Sequence, residues 1–340
     1  MNSTYVEIEA PARLHLGFLD LNGDTGRSFG SLGLTLDGLS TCLRMARSRT
    51  THAEGAESVR ATRLAQQFLV ALGLPGGVHI NLPRSIPPHA GLGSGTQLAL
   101  AIGAGISRLH GLDLSPREVA AVLDRGQRSG IGIGAFERGG FLVDGGRRAG
   151  DEVPSITVRL EFPAHWRVVL LFDAAERGLH GEAERAAFRA LPKFSAASAG
   201  VLCRVLAMQV LPGLVEQRLD EFGAGLGAIQ ALVGDHFAPA QGGRYASVNV
   251  AAALDWLGRQ GHAALGQSSW GPTGFLIVDG ETRAAQVVAQ LQDRFGARGL
   301  QFRVVAARNQ GAVVSEPGAR NAPRTDPASF FPASAVIGKH

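Results

Sequence analysis

The sequence predicts an α+β fold in two domains, the second built around a split β-α-β unit, and three observations predict it. The chain has 340 residues, 45% of them apolar, which is enough for a sizeable core and more than one core usually organises. Segments of strand-like alternation and of helical spacing interleave along its whole length. Near the C-terminal end, residues 275–278, 281–295 and 302–307 read as strand, helix and strand, the signature of a split β-α-β domain. The expected layout is a first domain over residues 1–160, a second over 161–315, and an irregular tail over 316–340, which is rich in Pro, Ala and Ser.

The elements follow in order. Residues 5–10 alternate and read as a strand, and residues 32–43 as one or two more, with a break at Asp37-Gly38. Residues 57–72 have helical spacing and stop at Gly73, a usual helix terminator. A strand over 78–82 runs into Pro83, and a loop carrying Pro87 and Pro88 leads to the turn Gly91-Leu92-Gly93-Ser94-Gly95-Thr96. An apolar helix of small residues then spans 96–109. Ser115, Pro116 and Glu118 mark another helix start, with a serine cap, a proline at the first position and a reciprocal glutamate. That helix reaches about Arg125. Residues 128–140 are dense in glycine, 141–146 read as strand and turn, and 156–160 and 166–172 as strands. Residues 181–233 are largely helical in pattern, and 248–259 form a further helix.

Composition excludes several classes. The net charge is +4, which suits anionic ligands, yet no basic block exists. Arg147 and Arg148 are interleaved with Asp144, Asp151 and Glu152, and 2 tyrosines with 3 tryptophans supply no stacking surface; a nucleic-acid partner is not expected. Cys42 and Cys203 stand far apart in apolar surroundings and are expected as buried free thiols in a reducing compartment. The first residues carry no charged-then-apolar leader, and no apolar run approaches the ~20 residues of a membrane span. The expected location is the cytoplasm, with no membrane partner.

The chemistry concentrates at residues 87–97, Pro-Pro-His-Ala-Gly-Leu-Gly-Ser-Gly-Thr-Gln. Glycines placed directly before a helix leave backbone N–H groups open to an anion, and the helix dipole adds to the attraction. Ser94 and Thr96 add hydroxyls. The lysine of a Walker loop is absent, so this is not a common P-loop. A close-packed helix start is the plain alternative.

This segment resembles the phosphate-binding motif of the GHMP kinase superfamily, Pro-x-x-x-Gly-Leu-Gly-Ser-Ser-Ala. The resemblance implies an N-terminal domain like domain 2 of ribosomal protein S5 and a ferredoxin-like C-terminal domain. Many of these kinases carry an aspartate seven residues before a Gly-Gly pair; counted back from Gly139-Gly140, that place is held here by Gly132. Glycine takes no proton from a substrate hydroxyl.

Six segments resemble one branch, the β-ribofuranosylaminobenzene 5′-phosphate synthase family: residues 12–23, 26–33, 128–132, 178–184, 241–243 and 267–273. The resemblance implies a decarboxylating transfer that joins phosphoribosyl pyrophosphate to 4-aminobenzoate or 4-hydroxybenzoate. It releases CO2 and pyrophosphate, on the way to methanopterin-type one-carbon carriers. It further implies Mg²⁺, no organic cofactor, and a homodimer. An ATP-dependent small-molecule kinase is the second reading, and an RNA- or protein-binding module the third.

The site expected from motif and residue chemistry is as follows. Arg13 and His15 alternate on one strand face and, with Asp20, form the catalytic set; a core histidine and a turn aspartate are the plain alternatives. Gly91, Gly93, Ser94, Gly95, Thr96 and Gln97 hold phosphate. Ser28, Ser31, Ser268, Ser269, Trp270 and Thr273 contact substrate, Trp270 as a wall for an aromatic ring. Asp20 and Glu182 are the metal-ligand candidates.

Overall fold

The computed structural model describes residues 5–150, 153–176, 186–187 and 189–316. Its first sheet is built on two long strands, β1 (Tyr5–Asp20) and β2 (Phe29–Ser48), with β3 (His52–Gly55), β4 (Gly77–Arg84), β5 (Phe141–Asp144) and β6 (Ile156–Leu160). β1 and β2 pair antiparallel from Tyr5 opposite Ala46 to Asp20 opposite Phe29. Both strands are longer than the sequence suggests. β1 continues because its ladder absorbs irregularities between Pro11 and Arg13 and between His15 and Gly17. The expected break at Asp37-Gly38 is a bulge, since Pro11 faces Ser40 while Arg13 faces Thr35. Gly38 supplies the positive φ of 72° at that kink.

Helices α1 (Ser58–Ala71), α2 (Ser94–Leu109), α3 (Pro116–Val122) and α4 (Ile131–Glu137) belong to this half. α1 turns Ala61, Leu64, Ala65, Phe68 and Leu69 inward, the stripe its spacing predicts. Ser115 and Glu118 form the expected capping box on α3. α4 lies in the glycine-dense stretch and has no sequence signal of its own. Its glycines serve packing: a Cβ at Gly134 would stand 2.8 Å from the Ile156 side chain.

The second sheet has four strands, β7 (Trp166–Asp173), β8 (Leu265–Gln267), β9 (Gly274–Asp279) and β10 (Leu300–Val305), in the order β10-β7-β9-β8 and antiparallel throughout. That order is ferredoxin-like. Between β7 and β8 run α5 (Ala196–Val205), a π-helical turn over Leu206–Val210, α6 (Leu211–Val215), α7 (Leu219–Gln241) and α8 (Val248–Arg259); α9 (Glu281–Phe295) joins β9 to β10. A last strand, β11 (Val313–Ser315), returns to the first sheet beside β1. One hydrophobic core joins the halves, bringing Leu14 and Leu16 of β1 together with Val168 and Leu170 of β7 and Phe222, Leu226 and Ile229 of α7.

Two expectations are corrected here. The cysteines are free but not buried: Cys42 is half-buried and Cys203 exposed, because Leu202 takes the inward position on α5. And Ala196–Val215 forms a helical path long and apolar enough to cross a membrane by length and composition. One face of it, with Leu202, Leu206, Val210 and Leu214, packs into the core.

Candidate active site

The glycine turn ends in the cap of α2. Gly91 and Gly93 have φ of 77° and 84°, a region closed to most residues. Thr96 and Gln97 N–H groups bond back to Gly93 O. The amides of Ser94 and Gly95 precede the first of these bonds, and no side chain caps the helix. Its positive end therefore opens outward.

A cleft of about 860 Å³ opens on that turn, lined by Gly91, Gly93, Ser94, Gly95, Thr96 and four arginines, Arg13, Arg60, Arg63 and Arg125. Arg13, on β1, donates from Nη1 to Gly91 O at 2.6 Å. Its guanidinium lies over Gly93, where a Cβ would stand 3.2 Å from Cζ. Arg60, on the first turn of α1, presses against Gly95: a Cβ there would stand 2.3 Å from Nη2. Burial, and then the positive charge of Arg60 and Arg63 against the milder pull of Asp124, holds the Arg125 guanidinium below its usual value. Arg125 Nε is buried and makes no hydrogen bond. Among the described residues, the carboxylate lining the cleft is Glu57, 3.3 Å from Arg60. Cations gathered at the positive end of a helix repel one another unless an anion joins them.

The far wall comes from the second half of the chain. The loop 268–273 meets the glycine turn backbone to backbone: a Cβ on Gly91 would stand 2.3 Å from Ser268 O, and one on Gly271 2.4 Å from Gly91 N. Ser268 Oγ donates to Gly91 O at 2.8 Å and accepts from His15 N–H at 3.0 Å. Ser269 N–H donates to His15 O at 3.1 Å. Six described non-glycine residues have positive φ, and three of them, Glu57, His89 and Ser269, line the cleft. Such strain concentrates where geometry serves a ligand.

Trp270 walls this cleft and also a small pocket of about 30 Å³ beside His15, Phe18 and Phe237. Its ring centroid is 4.7 Å from that of Phe237. His15 is buried, and that burial, with the positive charge of Arg13 and Arg128, lowers its pKa to about 3. It stays neutral at neutral pH, and its Nε2 makes no hydrogen bond.

The cleft thus brings together Arg13, Gly91, Gly93, Ser94, Gly95, Thr96, Ser269 and Trp270, with His15 behind the Trp270 loop. Ser268 and Thr273 are buried in the base of that loop. Gln97 is buried under the turn and donates to Gly132 O at 2.7 Å. Ser31 is buried and donates to the Asp144 carboxylate, which also accepts from Ser129 and from Gly130 and Gly146 N–H. Burial raises the Asp144 carboxyl, and these donors oppose the rise. Ser28 pairs through its backbone with Arg147. Asp20 accepts from Asn22 and Gly23 N–H at 2.7 and 3.1 Å, closing a turn. Asp20, Ser28 and Ser31 are not among the cleft-lining residues. Glu182 lies outside the described residues.

Sequence reasoning missed Arg60, Arg63, Arg125 and Glu57. The only signal was the spacing of Arg60 and Arg63 along one helix, which ordinarily marks a solvated face. The missing aspartate has a steric counterpart: a Cβ on Gly132 would stand 2.9 Å from Thr96 Cγ2.

Known proteins bear on this geometry. The GHMP kinases N terminal domain model matches residues 59–140, and the GHMP kinases C terminal model residues 210–297. A β-ribofuranosylphenol 5′-phosphate synthase of Archaeoglobus fulgidus is 32% identical over 91% of this chain and 99% of its own length. The protein of the same name from Methanothermobacter thermautotrophicus is 30% identical over 90% and 98%. Among solved structures, mevalonate-3-kinase of Thermoplasma acidophilum superposes with a TM-score of 0.64 at 14% identity, covering 92% of this chain and 99% of that one; it shares the fold alone. The expected α+β GHMP-like architecture is therefore the observed one. With relatives of this identity matched nearly end to end, the chain belongs to the β-ribofuranosylphenol 5′-phosphate synthase family of the GHMP kinase superfamily, and it is an enzyme of that kind.

Proposed function

We propose that this enzyme joins phosphoribosyl pyrophosphate to 4-hydroxybenzoate, releasing pyrophosphate and CO2, as a cytoplasmic step toward methanopterin-type carriers. The observation that carries this reading is the set of guanidinium groups, Arg13 and Arg60 foremost, packed on the glycines at the positive end of α2. A diphosphate leaving group meets the Ser94 and Gly95 amides and these arginines together. The hydroxybenzoate is favoured over the aminobenzoate because the relatives are named for a phenol.

The C1–O bond of the ribose breaks and its electron pair leaves with pyrophosphate, whose growing charge the arginines and amides stabilise. The ring carbon bearing the carboxylate attacks the oxocarbenium-like C1. The carbon–carboxylate bond then breaks, CO2 departs, and its electron pair restores the aromatic ring. The acceptor ring lies on Trp270, and its para hydroxyl, opposite the carboxylate-bearing carbon, pushes electron density toward that attacking carbon. No step needs a base at position 132. Closure of the 268–273 loop on the glycine turn keeps water from C1.

Mg²⁺ suits this cleft as an ion shared with a diphosphate, since magnesium usually takes one or two carboxylates plus substrate phosphates. Glu57 and the Ser94 hydroxyl would hold it on the protein side. When bound it supplies further charge neutralisation to the leaving group. Asp20 has its carboxylate engaged in the turn at Asn22 and Gly23.

The test is incubation with phosphoribosyl pyrophosphate, Mg²⁺ and carboxyl-labelled 4-hydroxybenzoate. Equal release of labelled CO2 and pyrophosphate is expected. ADP release from ATP with a polyol, and no CO2 from the benzoate, would overturn the reading in favour of a kinase.

A further inference from the structure

On the outer face of the first sheet, away from the cleft, three metal-ligating side chains converge. β3 and β4 pair in parallel with His52 opposite His79, so the two imidazoles leave the sheet side by side. Glu54, two residues after His52, shares their face. The rings stack 4.3 Å apart, 15° from parallel. His79 Nε2 is shielded from water and makes no hydrogen bond, although Glu54 Oε1 is 3.4 Å away. One donor atom from each residue lies within 4.8 Å of the other two.

We propose that His52, Glu54 and His79 bind one divalent transition-metal ion of the zinc class, with water completing its coordination. Two imidazole nitrogens and one carboxylate oxygen suit zinc, nickel or copper, whereas magnesium and calcium prefer all-oxygen sets. Ligand bonds of about 2.0–2.2 Å bring donor atoms closer than they stand here. His52 and Glu54 are exposed, so small rotations of their side chains close the gap without moving the sheet.

The site shares no residue with the cleft, yet it is joined to it through the chain. β3 is a four-residue edge strand, and short edge strands hold weakly. It leads directly to Glu57 and to α1, which carries Arg60 and Arg63 into the cleft. An ion bridging β3 to β4 pins the root of that helix.

The test uses the full chain, stripped with a chelator and titrated with zinc chloride alone by calorimetry and by thermal melting. One ion per chain, micromolar or tighter binding and a higher Tm with zinc are expected. The His52→Asn/His79→Asn pair should weaken binding by about 100-fold and abolish the zinc-dependent Tm shift; Glu54→Gln should weaken it by about tenfold. Millimolar Mg²⁺ should not compete. Wild-type binding weaker than about 1 mM, or unchanged stoichiometry and affinity in the double variant, would overturn the proposal; the second outcome would point to Cys42 or Cys203. If the double variant does not fold, the single exchange His52→Asn at the exposed edge gives the same reading.

Discussion

At the residue scale, two glycines of one turn make opposite predictions. A methyl group on Gly95 meets only the end of the flexible Arg60 side chain. Gly95→Ala should therefore keep its Tm within a few degrees and raise KM for phosphoribosyl pyrophosphate about tenfold, with KM for the benzoate little changed. A methyl group on Gly91 meets Ser268 backbone at 2.3 Å, in a residue with φ of 77°. Gly91→Ala should destabilise the fold by about 2 kcal/mol or more, read as a lower urea midpoint. Equal effects on Tm and on substrate KM in both variants would contradict this division. Arg60→Gln and Arg125→Gln should each lower kcat/KM for phosphoribosyl pyrophosphate by about 10- to 100-fold. These arginines were not legible in the sequence. A charged residue on an amphipathic helix reads as solvent-facing, and only the packing of α1 beside α2 turns Arg60 onto Gly95. The glycine turn was legible because its cause is local: positive φ and a helix start lie within six residues.

At the element scale, α2 and α4 are fitted to each other through Thr96 and Gly132. The Gln97 amide donates to Gly132 O, and Thr96 fills the space where a side chain at 132 would begin. Gly132→Asp should therefore not create a kinase. We expect no ATP turnover, a lower Tm, and loss of pyrophosphate release as Thr96 is pushed into the turn; phosphorylation of any polyol by this variant would refute the steric account. The extended reach of β1 and β2 was not legible, because bulges interrupt the alternation that marks a strand. α4 was hidden for a different reason: Gly132 and Gly134 disfavour a helix in isolation, and tertiary contacts with Thr96 and Ile156 override that preference. The ferredoxin-like half was more readable. Its strands β7 and β9 are near-continuous apolar runs bounded by turns, and α9 has a clean apolar stripe.

At the scale of the whole molecule, stability couples to pH through the buried His15 at the junction of the two halves. Its folded pKa of about 3 lies below the ordinary value of 6.5. Between these values the unfolded chain binds the extra proton, so stability falls as pH falls from about 6.5 toward 3, by up to about 1.4 kcal/mol per unit. His15→Gln should flatten that part of a urea-midpoint profile; an unchanged acid slope would show that His15 is not the group responsible. The shared core and the Ser268 bridge tie the two halves together in this region. Ser268→Ala leaves His15 N–H without its side-chain partner and Gly91 O without one donor, so a loss of about 1–3 kcal/mol is expected, together with a higher KM for the benzoate as the Trp270 wall loosens. The sequence named His15, Ser268 and Trp270 as site residues, but not that His15 and Ser268 bond to each other, since they stand 253 residues apart.

β11 also bears on how the chain could be recut. Glu7 lies opposite Ser315 in the first sheet, so the polypeptide comes back almost to its own beginning. With residues 1–4 and 317–340 removed, a short peptide tether would join Glu316 to Tyr5, and new termini could then be opened in a surface turn such as the one after Gly73. Such a circularly permuted protein keeps every strand pairing and leaves the arginine cleft untouched.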